Sequence, residues 1–110
     1  MTEETLKRIE NAVRSIETTE GGKKKELLAL LQTLRGEVQA LSSTHGEHAR
    51  SIAGFAELAA HEAARKEKTP EGLEHALKGL TASAKKFEAT HLTLVQTIDG
   101  ICVILARMGI

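Results

Sequence analysis

The sequence predicts an all-α protein, an antiparallel helical bundle of three to four main helices with a long C-terminal heptad helix. The first observation is composition: the 110 residues are 27% charged and only 2% aromatic, and they are rich in Ala, Leu, Glu and Lys. These residue types favour helices. The second observation is an apolar repeat at helical spacing, and the third is a set of capping and breaking residues between the repeats. A chain of this length has the size of one domain, so we expect residues 1–110 to form a single helical bundle.

The first part of the chain, residues 3–42, is predicted to be a helical hairpin. Thr2 is a suitable N-cap for a helix over residues 3–18, because its hydroxyl can accept a hydrogen bond from a free backbone N–H. Gly21 and Gly22 follow that helix and are expected to end it. A second helix is expected over residues 23–42. Each helix has one apolar stripe, formed by residues that recur at helical spacing. These residues are Leu6, Ile9, Val13, Ile16, Leu27, Leu31, Leu34, Val38 and Leu41.

The middle segment, residues 45–68, is predicted to be an alanine-rich helix. Thr44 and Glu47 have the spacing of a capping box at its start. Its apolar stripe is made mostly of alanine, and small side chains bury little apolar area. We therefore expect this helix to be the least firmly held.

The strongest helix prediction covers residues 70–108. Thr69, Pro70 and Glu71 form a start signal, with a proline at the first helical position and an acid near the positive end of the helix. The apolar positions then alternate steps of four and three residues. They are Leu73, Leu77, Leu80, Ala84, Phe87, His91, Leu94, Ile98, Ile101, Leu105 and Met108.

A continuous helix over residues 70–108 is about 57 Å long, whereas the second helix is about 30 Å long. The excess must break, remain exposed or pack against another copy of the chain. We expect it to reach into a homo-oligomer interface, a dimer or higher. A break near Thr90 or Gly100 is the alternative. The expected interface residues are His91, Leu94, Ile98, Ile101, Leu105 and Met108.

A short motif on this helix, His75-Ala76-Leu77-Lys78-Gly79, resembles the H-x-L-K-G core of histidine phosphotransfer domains. Those domains are four-helix bundles that relay a phosphoryl group between receiver domains. The resemblance implies that His75 accepts the phosphoryl group, that Lys78 offsets its charge and that Gly79 leaves room for the receiver. In that family the histidine lies in the middle of a helix, whereas His75 lies near a helix start. The alternative is an ordinary exposed histidine on a charged face.

A broader resemblance involves the C-terminal third of the chain. Phe87-Glu88-x-x-His91, followed by the terminal Met108-Gly109-Ile110, looks like a family of short bacterial helical proteins that is known only as a domain of unknown function. The resemblance implies no activity. Members usually carry proline after the histidine, whereas this chain has Leu92. The absence of that proline favours one continuous helix.

The remaining polar residues give weaker signals. Glu88 and His91 form one E-x-x-H unit of the kind found in di-iron bundles, but such a site needs two units and two more carboxylates. The alternative for His91 is a buried or half-buried histidine that sets helix register. His45 and His48 have a spacing that could bind a metal but are more typical of a surface pair at a helix start. Cys102 lies in an apolar run and is expected to be an unreactive core residue.

Charge and motif content exclude several functions. Fifteen basic and fifteen acidic residues cancel, so a nucleic-acid partner is not expected. No stretch reaches the roughly 20 apolar residues of a membrane span. With no cofactor motif and a single cysteine, we expect a non-catalytic, cytoplasmic interaction protein without a cofactor, which associates with itself and possibly with another protein. The alternative is a phosphotransfer module.

Overall fold

A computed structural model describes residues 1–18 and 20–108. This part of the chain folds into helices that pack against one another, and no strand is present among these residues, which confirms the all-α prediction. Helices that follow each other in the chain run roughly antiparallel where short turns join them. The helices are α1 (Glu3–Ser15), α2 (Gly21–Ser42), α3 (Gly46–Ala64), α4 (Pro70–Lys85) and α5 (Leu92–Met108).

The start of α1 follows the prediction, because the Thr2 hydroxyl accepts a hydrogen bond of 3.0 Å from the Thr5 backbone N–H. Its end does not. The helix stops at Ser15 rather than residue 18, and Gly21 and Gly22 form the first turn of α2 instead of ending α1. No described residue has a positive φ angle, so these glycines do not serve as left-handed helix terminators.

The alanine-rich helix α3 ends at Ala64, earlier than the predicted residue 68, and it begins without the expected capping box. The residue at the N-cap position is His45, and the Thr44 hydroxyl hydrogen-bonds with the His45 ring instead. The expectation that this helix is the least firmly held is wrong, because α3 packs against all four other helices. Its small side chains let the neighbouring backbones approach closely, which places the alanine helix at the centre of the bundle.

The predicted helix over residues 70–108 is interrupted, and the break near Thr90 is the one that the structure contains. Residues 86–91 form a turn between α4 and α5. Backbone bonds hold this turn: the N–H groups of Thr90 and His91 both donate to the Phe87 carbonyl, at 3.2 and 2.7 Å. The longest dimension of the molecule is 38 Å, too short for a helix of about 57 Å. Folding back lets α5 pack against α2, α3 and α4.

The core lies between all five helices and takes one apolar stripe from each. Phe87, in the turn, is only 3% exposed and closes one end of the core. The largest fully buried side chains are Ile9, Ile16, Leu27, Leu31, Leu34, Leu41, Ile52, Leu80, Leu94, Ile98, Ile101 and Leu105.

Candidate interaction face on helices α4 and α5

The residues that the sequence indicated as an interface face inward. Because α5 folds back onto the bundle, its seam packs within the same chain, and a second copy has no access to it. Leu94, Ile98, Ile101, Leu105 and Met108 are all buried in the core, and His91 is half-buried beside Phe87. A partner that contacts α5 must therefore use the opposite, outward side of this helix.

The outward side of α4, together with the end of α5, forms a groove of about 600 Å³. Its floor is mainly apolar, and polar side chains stand at its rim. Leu77, which the heptad pattern placed in the core, is half-buried in this groove, while Ala76 takes the core position beside it. The lining residues are Pro70, Leu73, Glu74, Leu77, Lys78, Thr81, Ala82, Lys85 and Ala106.

Two large apolar side chains of α5 project to the surface. Val103 is 61% exposed and Leu92 is 54% exposed. Val103 lies next to Cys102, whose sulfur is 3.7 Å from the Thr81 hydroxyl oxygen in the groove. The α4–α5 face therefore combines a projecting apolar side chain with an adjacent apolar depression.

Cys102 lies where α4 and α5 meet, half-buried rather than fully in the core. Burial raises the pKa of its thiol; the hydrogen bond with Thr81 opposes this rise, and the carboxylate of Asp99 adds to it. The thiol also donates a long bond of 4.0 Å to the Leu77 carbonyl. A thiol with a raised pKa is a weak nucleophile at neutral pH, so its environment is that of a packing residue.

The phosphotransfer motif is only partly arranged as the resemblance implies. His75 is exposed on α4, and Lys78 is also exposed, one turn away, where its ammonium pairs with Glu74 at 2.9 Å. Gly79 does not leave room for a receiver. A β-carbon at Gly79 would lie 2.3 Å from the ring of Phe55 on α3, so this glycine admits a neighbouring helix of the same chain.

Glu88 and His91 do not form an inward-facing E-x-x-H unit, because both lie in the α4–α5 turn and not on a helix. Glu88 is exposed, and the Nδ1 atom of His91 is hydrogen-bonded with the Thr90 hydroxyl at 2.9 Å. Across residues 1–18 and 20–108, no group of three or more His, Cys, Asp or Glu side chains is placed to hold a metal ion.

Instead, the turn brings His91 close to His45 and His48, which lie much earlier in the sequence. The rings of His45, His48 and His91 all lie edge-on to the ring of Phe87, with centroid distances of 5.1, 5.5 and 5.5 Å. This grouping could not be predicted from residue spacing, because it depends on the chain reversal after Lys85. We name these four residues, together with Lys86, the histidine cluster.

Comparison with known protein families gives one match. The model of a family described as Domain of unknown function (DUF4404) matches residues 27–110. The chain belongs to this family. The match confirms the resemblance to a family of unknown function, and it includes most of α2 and the whole of α3, α4 and α5. Two residues of the terminal signature, Gly109 and Ile110, are outside the described residues.

The family carries no known activity, and the other two comparisons supply none. Neither the curated proteins nor the solved structures include a match to this chain. Among the described residues, no helix combines the length and apolar character that crossing a membrane requires.

Proposed function

We propose that this protein is a non-catalytic interaction and assembly protein that associates with itself through the outward face of α4 and α5. The observation that carries the proposal is that the α4–α5 face has both an exposed Val103 side chain on α5 and an apolar groove along α4. Covering a valine side chain fully is worth about 1.5–3 kcal/mol, because it removes apolar area from water. The half-buried Leu77 would lose further contact with water in the same complex.

A second copy of the chain is the partner that this face fits best. A face that carries both a projection and a depression can be self-complementary, as a two-fold dimer requires. The chain has no net charge, so two copies approach without net repulsion between them.

The charges on the face also suit a two-fold pair. Thr81 of α4 and Cys102 of α5 are in contact, so these two residues lie at the same height along the two antiparallel helices. Lys85 and Asp99 each lie about one helical turn from that level, toward the α4–α5 turn. A two-fold axis parallel to the helices lays α4 of one copy over α5 of the other. Lys85 then faces the partner's Asp99, so unlike charges meet on both sides of the axis.

Sedimentation equilibrium of the wild-type chain and two matched variants tests this proposal. Val103→Asp places a charge on the outward side of α5, and Leu58→Asp makes the same kind of change at an apolar residue that is 48% exposed but lies on α3, outside the α4–α5 face. We expect a reversible wild-type dimer, at least a tenfold weaker dimer for Val103→Asp and wild-type behaviour for Leu58→Asp. A tenfold change corresponds to about 1.4 kcal/mol. A wild-type chain that stays monomeric at high concentration, or equal effects of both variants, would contradict the proposal.

A second candidate function is phosphotransfer, and the exposure of His75 on α4 is the observation that favours it. An accessible imidazole is the nucleophile that this chemistry needs. The test is incubation with a panel of phosphorylated receiver domains, with His75→Gln as the control. Acid-labile phosphate on the wild type but not on the variant would support this function, and no transfer from any receiver would remove it.

A further inference from the structure

The histidine cluster joins two loops that are distant in the sequence. His45 and His48 come from the start of α3, while Lys86, Phe87 and His91 come from the α4–α5 turn. The Phe87 ring is buried and the three imidazoles surround its edge. The cluster therefore lies where the α4–α5 turn meets the start of α3, at one end of the bundle.

The contact between Lys86 and His48 depends on protonation. The Nζ atom of Lys86 lies 3.2 Å from the Nε2 atom of His48. A lysine ammonium can only donate hydrogen bonds, so this bond forms only when Nε2 carries a lone pair, as it does in one tautomer of the neutral imidazole. If His48 gains a proton, both partners become cationic donors and the hydrogen bond is replaced by a repulsive contact.

The surroundings of His48 add to this effect. The His45 ring centroid lies 6.2 Å from that of His48, and the His91 ring is on another edge of the same phenylalanine. The Lys86 ammonium is 5.6 Å from the Phe87 ring centroid. Protonation of the three imidazoles would therefore gather four positive charges around one buried ring.

Other charged groups at this end of the bundle balance that charge only in part. Glu3 on α1 and Arg35 on α2 form an ion pair with each other. The first turn of α5 contains no acidic residue. The charged groups next to the cluster along the chain are Glu47 on α3, Lys85 at the end of α4 and Glu88 in the turn.

We propose that the histidine cluster is a proton-sensitive clasp that holds the α4–α5 turn against the start of α3 and releases it when His48 is protonated. Unperturbed histidine changes charge near pH 6.5. The clasp is closed at neutral and alkaline pH and opens under mild acid. Opening frees the turn that positions α5 against α4, while the buried stripes of the five helices remain packed. This proposal is independent of self-association.

Hydrogen exchange followed by mass spectrometry at pH 7.5 and pH 5.5, corrected for intrinsic exchange rates, tests the clasp. The reporting peptides cover residues 44–50 and 85–92, and a peptide over residues 27–41 is the internal reference. For the wild type we expect protection of the two reporting peptides to fall at least about threefold relative to the reference at the lower pH, the size of effect that one surface ionic contact produces. His48→Gln keeps an oxygen that can accept from Lys86 but gains no proton, so its protection should change little between the two pH values.

His75→Gln is the matched control, since it removes an exposed histidine outside the cluster, and it should show the wild-type response. If His48→Gln does not fold, Lys86→Met provides the second test, because without the ammonium no repulsion develops and the pH response should shrink. A wild-type protein with no selective loss of protection, or a His48→Gln variant with the full wild-type response, would overturn the proposal.

Discussion

The two sides of the bundle differ in the polarity of the surface between their helices. On the side of α1, polar contacts join the helices across the surface: Arg8 donates to Glu57 on α3 at 2.6 Å, and Gln32 on α2 donates to Glu10 at 2.7 Å. On the side of α4 and α5, the surface between the helices is an apolar groove with the exposed Val103 beside it. Both sides cover the same core, so the difference lies in the outer surface alone. Polar contacts join the helices on the first side, and we propose that the second side contacts a partner.

The largest effect on the free energy of unfolding is expected on α4, where a substitution on the core face is compared with one on the groove face. Leu80 is fully buried, whereas Leu77 is half-buried in the groove. Leu80→Ala should lower the free energy of unfolding by about 2–5 kcal/mol, because it removes buried carbon atoms and leaves a cavity. Leu77→Ala should cost clearly less in the monomer. Urea denaturation at low protein concentration measures both, and equal losses would mean that the groove face is core.

A smaller effect is expected at Gly79, where α4 approaches α3. A β-carbon there would lie 2.3 Å from the Phe55 ring, so Gly79→Ala must displace the ring or the helix. We expect a loss of about 1–3 kcal/mol, the usual range for overpacking.

Gly36→Ala is the control for Gly79→Ala, because no atom lies within 4 Å of a β-carbon at Gly36 in the middle of α2. It should stabilise the protein by about 0.5–1 kcal/mol through helix propensity alone. Thermal unfolding of both variants measures the two changes in stability. If Gly79→Ala also raised the melting temperature, the close approach of α4 to α3 would not exist.

The smallest effect concerns the ion pair that crosses the α1 side. The hydrogen bond from Arg8 holds the pKa of Glu57 below its usual value. A carboxylate whose pKa is lowered by folding stabilises the native state at neutral pH, and this contribution is lost as the pH falls through the folded pKa. Glu57→Gln should therefore lower the urea midpoint slightly at pH 7, and the difference from the wild type should be smaller at pH 3. A difference in urea midpoint of the same size at both pH values would show that the charge of Glu57 does not stabilise the fold.

The sequence predicted the inward stripes well, because buried positions follow directly from helical periodicity. Leu73, Leu80, Leu94 and Ile101 were all expected to face apolar surroundings, and all are buried. The apolar repeat did not reveal the chain reversal at residues 86–91, and the reason is physical. The turn contains neither proline nor glycine, and it keeps the buried Phe87 in register with both helices. Apolar residues spaced alternately four and three positions apart are expected both in one long helix and in two helices that share a core.

The functional surfaces could not be predicted, because both depend on that reversal. The groove requires Ala106 on α5 to lie near Leu77 on α4. The histidine cluster requires Lys86 to reach His48, which is 38 positions earlier in the chain. Residue spacing along one helix carries no information about contacts of this kind. The close approach of Phe55 to Gly79 could not be predicted for the same reason, since Phe55 is on another helix.

Hydrogen exchange of the wild-type protein at two concentrations, on either side of its dissociation constant, is the most direct test of the difference between the two sides. The α4–α5 face, covered by peptides over residues 75–85 and 99–107, should gain protection at the higher concentration. The α1 side, covered by peptides over residues 3–15 and 50–62, should not change. Concentration-dependent protection on the α1 side, or none on the α4–α5 face, would contradict the account.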